Sequence, residues 1–140
     1  MHMKIAALGM LLAAAPAPVW ADDAAFTCVT PTEFLDVTAG PDQFRLNNFS
    51  IGERKSLMAG SLNVIEVTFS VANRSAQTKS VKGQFIGFDE ADQPLFAVTS
   101  GPMLDSIGGN KTDTARGDIL VTAGTIDKLR KICINIVATR

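Results

Sequence analysis

Tyrosine is absent from this 140-residue chain, and histidine and tryptophan occur once each, at His2 and Trp20. Both single residues sit in a leader-like opening segment. Lys4 gives it a positive start, Ile5–Ala15 is an apolar run, and Val19 and Ala21 supply the modest residues that signal peptidase reads. The expected division is a cleaved signal peptide over 1–21 and one domain over 22–140. The mature chain then contains neither histidine nor tryptophan. Without histidine, the Ser-His and Cys-His pairs of nucleophilic hydrolases cannot be built. Two cysteines alone also exclude a Cys/His zinc site.

Long apolar runs are scarce too. Ile5–Ala15 is about half of the ~20 residues that a membrane-spanning helix needs, and no later stretch is as apolar. No membrane span is expected once the leader is removed. Charge is nearly balanced, with 13 Lys and Arg against 14 Asp and Glu. Losing Lys4 leaves 12 bases, 14 acids and a mature net charge of −2. That balance argues against a nucleic-acid partner, whose footprint is a basic stripe.

What remains is a chain of roughly 119 residues, enough for one hydrophobic core, whose aromatic residues are eight phenylalanines. In an oxidising compartment the two cysteines, Cys28 and Cys133, are expected to form one disulfide. It would join the first strand to the last. Closing a loop of roughly 100 residues stabilises a fold by about 4.7 kcal/mol in the chain-entropy model.

The clearest pattern is Leu62–Asn73, where Ile65, Val67, Phe69 and Val71 alternate with Glu66, Thr68, Ser70 and Ala72. A period of two marks a half-buried strand. Turn-compatible residues 73–78 follow, then a second extended run over Val81–Phe88. There Gly87 offers a bulge that would turn Phe88 inward. Further short strands are expected at 25–30, at Glu33–Thr38 with Leu35 and Val37 inward, and at Phe44–Ile51 with a bulge near Asn47 and Asn48. Others are expected at 95–100, at Thr112–Thr122 with Ala115, Ile119 and Val121 inward, and at Lys131–Thr139. Residues 52–61 and 101–111 read as loops. Thr125–Leu129 reads as one helical turn with Thr125 as N-cap. Seven to eight short strands without a long helix predict an all-β, immunoglobulin-like antiparallel β-sandwich.

Two short motifs carry a resemblance. Phe85-Ile-Gly-Phe-Asp89 resembles the signature of FxLYD-type domains, small bacterial extracytoplasmic β-sandwiches, and Val71-Ala-Asn-Arg-Ser75 resembles their strand ending in Asn-x-Ser. The similarity covers about residues 62–137. It departs from the family at Gly87, where leucine is usual, and at Phe88, which replaces tyrosine. The resemblance implies an immunoglobulin-like fold and an exported setting, and it supplies no catalytic residues.

Other candidate chemistry is thin. Asp89, Glu90 and Asp92 cluster on one turn, but a calcium loop would need a glycine that is missing. Gly108-Gly-Asn-Lys-Thr112 lacks the Gly-Lys step of a phosphate loop. Ser106 and Lys111 form a nominal nucleophile–base pair with nothing else to mark a site. Lys128, Arg130 and Lys131 read as a charged guard on an edge strand. Asn48, Asn73 and Asn110 each begin a glycosylation sequon, read as chance because the alanine-rich leader looks bacterial.

Apolar residues in polar loops say more. Leu57 and Met58 interrupt one loop, and Met103, Leu104 and Ile107 another. They would either cap the open ends of the sandwich or form a surface for a protein partner. The expectation is a periplasmic or secreted bacterial protein without catalytic residues, metal or cofactor, an interaction or accessory module of a cell-envelope assembly. The alternatives are a small-ligand or metal-ion binding protein using the end loops and, last, a hydrolase.

Overall fold

The computed structural model describes residues 26–41 and 43–138, so the expected signal peptide lies outside the described residues. Seven strands and two single-turn helices follow one another there: β1 (Thr27–Val29), α1 (Pro31–Phe34), β2 (Phe44–Lys55), β3 (Leu62–Asn73), β4 (Val81–Phe88), β5 (Pro94–Ser100), β6 (Thr112–Thr122), α2 (Thr125–Lys128) and β7 (Lys131–Ala138). The alternation in β3 has the expected result. Ile65, Val67, Phe69 and Val71 are fully buried, while Glu66, Thr68, Ser70 and Ala72 remain partly exposed.

The strands form two antiparallel sheets in the orders β1-β7-β4-β5 and β2-β3-β6. The β3–β4, β5–β6 and β6–β7 connections each pass from one sheet to the other, as in a Greek-key sandwich. Between the sheets, Phe34, Phe49, Phe69 and Phe85 form one ring cluster with centroids 5.1–6.2 Å apart. Phenylalanine does here the work that tryptophan and tyrosine share in other sandwiches, without a polar atom to satisfy.

The two lateral sides of the sandwich close differently. On one, Gly101 and Arg116 exchange backbone hydrogen bonds of 3.2 and 2.9 Å, stitching β5 to β6. A Cβ at Gly117 would lie 2.1 Å from the Thr99 carbonyl oxygen, so only glycine permits this approach. On the other side no strand-to-strand seam is found among the described residues, and Phe34 of α1 packs its ring between Phe49 and Phe85.

Several expectations need correction. Residues 31–34 are helical, because Thr30 and Glu33 form a reciprocal capping box and Pro31 occupies the first turn. The extended run expected over 33–38 is absent. Phe34 points inward and Leu35 is exposed, the reverse of the alternating assignment, although Val37 does pack against the core. β2 continues to Lys55, four residues past its expected end, because β3 pairs with it that far. Its bulge is present, with a register shift between Asn47 and Ser50 and Asn48 at φ 53°. A second register shift lies at Gly87 and Phe88. Phe88 nevertheless stays on the outer face, beneath the Lys131 ammonium at 4.9 Å. Ala115 and Val121 are buried as expected, whereas Ile119 is 38% exposed, since β6 ends its sheet and no further strand covers it.

Candidate functional site

The loop joining β2 to β3 is a rigid turn. Ser56, itself buried, accepts hydrogen bonds at its Oγ from the backbone N–H groups of Met58 and Ala59, at 3.3 and 3.0 Å. Its own N–H reaches Leu62 O at 3.1 Å, and Gly60 adopts the left-handed conformation that closes the turn. Leu57 and Met58 are thereby held outward, 94% and 98% exposed.

Below this tip, Glu53 anchors the hairpin to the β6–β7 connection. Its carboxylate accepts from Asn63 Nδ2 at 2.6 Å and from the N–H groups of Gly124 and Ile126, each at 2.7 Å. Partial burial raises the Glu53 pKa, but the donors at Ile126, Asn63 and Gly124 outweigh it and hold the carboxyl below its ordinary value. Glu53 thus caps α2 from another strand. Thr125, expected as the N-cap, instead donates its hydroxyl to Thr122 O at 2.7 Å, and the cap position is Gly124.

The 101–111 loop is built differently. Lys79 and Ile107 exchange backbone hydrogen bonds of 3.0 and 2.8 Å. Asn73 Nδ2 donates to the carbonyls of Gln77, Ile107 and Gly108, while its Oδ1 accepts from Ser75 N–H and Oγ. This network ties loops 74–80 and 101–111 together and buries Ile107 to 2% exposure. Ile107 is therefore a core residue and leaves the partner-binding set. Met103 and Leu104 lie in the Pro102–Asp105 turn and remain 93% and 83% exposed.

The four exposed apolar residues do not form one patch. Leu57 and Met58 adjoin the start of β3, whereas Met103 and Leu104 belong to the loop that Asn73 pins at its end. Gly101, from which the Met103 turn springs, pairs with Arg116, and Arg116 stands opposite Thr68, six residues along β3 from Leu62. The ends also differ in charge. Arg54 and Lys55 flank the Leu57 tip and make no ion pair among the described residues. Near Met103, a cleft of about 570 Å³ follows the β5–β6 seam. Of its charged lining residues, Lys82 pairs with Asp105 at 3.2 Å and Arg116 with Glu66 at 3.6 Å. Asp113 and Asp118, which line the same cleft as Lys82 and Arg116, make no ion pair among the described residues.

The remaining candidates resolve into structure. Cys28 and Cys133 are bonded and stand directly opposite each other in the β1–β7 register. Asp89 caps its own turn, accepting from Ala91 and Gln93 N–H at 2.9 Å, and Asp92 pairs with Lys131 at 2.6 Å. Among the described residues, no three His, Cys, Asp or Glu side chains are grouped to hold a metal ion. Nor does any hydrogen bond join Ser106 to Lys111. The edge-guard reading of Lys128, Arg130 and Lys131 fails, because β7 lies between β1 and β4. Arg130 instead donates from Nη1 to the carbonyls of Asp127 and Leu129.

No protein-family model matches the chain, and no curated protein matches its sequence. Among solved structures it is similar to an uncharacterized β-sandwich protein from Clostridium difficile 630, at 10% identity and a TM-score of 0.42, over 74% of this chain and 84% of that one.

Proposed function

We propose that this protein is a non-catalytic, exported interaction module, an accessory subunit of a cell-envelope assembly that meets protein partners through its end loops. The observation that carries this reading is the rigid display of Leu57, Met58, Met103 and Leu104 on backbone turns that leave them almost wholly in solvent. Loops positioned by a stiff scaffold are where recognition concentrates. The disulfide supports an oxidising, extracytoplasmic setting. Kinship with FxLYD-type domains is part of the same proposal, and the role of Asn73 and Ser75 in pinning the neighbouring loops gives their shared Asn-x-Ser a physical reason.

A photo-crosslinking side chain placed at Leu57 or Met103 in the native host should yield discrete adducts. The same group at Thr68, on the outer face of β3, should not. Equal labelling from all three positions, or none from either loop, would overturn the reading.

A further inference from the structure

Two separate exposed apolar pairs, one beside cations and the other beside carboxylates that make no ion pair among the described residues, call for a single explanation. We propose that the partner of each end is the other end of a second copy of this chain. The Leu57–Met58 tip of one molecule docks against Met103 and the β5–β6 cleft of the next, with Arg54 and Lys55 meeting Asp113 and Asp118. This rests on the interaction-module reading and names its partner.

Three observations point the same way. The tip is convex and stiff, held by Ser56 and anchored by Glu53, so docking costs little ordering entropy. The receiving surface is concave, about 570 Å³, and carries its own exposed apolar side chain, Met103, at the rim. The charges are complementary once internal pairs are set aside, because Lys82 and Arg116 in the cleft are already neutralised by Asp105 and Glu66. The two surfaces differ, the tip preceding β3 and the cleft running beside residues of β6 paired with Glu66–Val71, so the contact is heterologous: each molecule uses its tip once and its cleft once, and the assembly grows as an open chain.

The test is sedimentation velocity of the purified, disulfide-intact protein over a concentration series. The wild type should show species growing beyond a dimer as concentration rises. Leu57→Ser with Met58→Ser should weaken association by about tenfold or more. Arg54→Glu with Lys55→Glu, and separately Asp113→Lys with Asp118→Lys, should each give monomers with unchanged melting temperature, since all four positions are exposed. Mixing these two charge variants should restore both tip-to-cleft contacts, because the reversed tip meets the reversed cleft and the unchanged tip meets the unchanged cleft, yielding alternating chains that grow with concentration. A chain carrying all four reversals should associate again. A wild type that stays monomeric throughout, variants that associate undiminished, or a mixture that fails to associate would each overturn the proposal. Crosslinks from Leu57 to a different protein, with a monomeric wild type, would overturn the self-docking inference while leaving the interaction-module reading in place.

Discussion

Removing the Asn73 side chain would leave the Ser75 N–H without its partner and take one donor each from the carbonyls of Gln77 and Ile107, which would keep only Ser75 Oγ and Lys79 N–H, in a place where Asn73 is only 2% exposed. Buried groups left without partners cost more than the bonds themselves contribute. Asn73→Ala should therefore lose roughly 2–4 kcal/mol, seen as a lower urea midpoint, and should loosen the loop that carries Met103. An unchanged midpoint would mean that the network is incidental. The same burial closes Asn73 as a glycosylation acceptor, whatever its sequon suggests. The sequence marks Asn73 only as a turn former. Its role depends on Ile107 and Gly108 arriving from over thirty residues away, a contact that no local pattern encodes. Ile107 was misassigned for the same reason, since its burial follows from pairing with Lys79.

Among the elements, those whose burial is set by their own alternation were readable in advance. β3, β6 and β7 fall close to their expected limits, and the Asn47–Asn48 bulge was marked by a break in alternation. α1 carries a legible signature, the capping box Thr30-x-x-Glu33 with Pro31 in the first turn, yet the residues from Phe34 to Thr38 read as extended when taken by alternation alone. The cap of α2 was beyond sequence reading, since Glu53 reaches it from a different strand. That cap gives a pH dependence with a defined sign. The folded-state pKa of Glu53 is depressed below 4.5, so its contribution is fully present above the unfolded value and is lost as pH falls through the folded one. Melting curves from neutral pH to about pH 3 should show wild type losing an increment that Glu53→Gln lacks, because the variant is already destabilised, by about 1 kcal/mol, at neutral pH. Parallel curves for the two proteins would contradict the cap.

For the whole molecule, the sandwich class followed from the number and spacing of patterned strands, and the pairing of Cys28 with Cys133 followed from cysteine count and compartment. Which loops share an end did not follow, because that depends on how the strands cross between sheets. Of the five apolar residues in the two loops, the fold buries Ile107 and holds the other four outward on two separate turns. Reducing the disulfide should lower the melting temperature, with a loss of up to about 4.7 kcal/mol expected for a loop of this order. A reduced protein as stable as the oxidised one would show that the three-residue strand β1 holds its place unaided.

The Cys28–Cys133 bond also decides how the protein bears tension. The chain passes through the first cysteine just after Phe26 and through the second five residues before Ala138, with a sequence separation of 105 between them. A pull applied outside these two points runs through the sulfur–sulfur link and bypasses the β2-β3-β6 sheet, loading only the part of β7 beyond Cys133 that pairs with β4. The domain then behaves under load as a short inextensible clasp. The end loops and the β2-β3-β6 sheet need not yield, and peeling is confined to Ile134–Ala138 of β7.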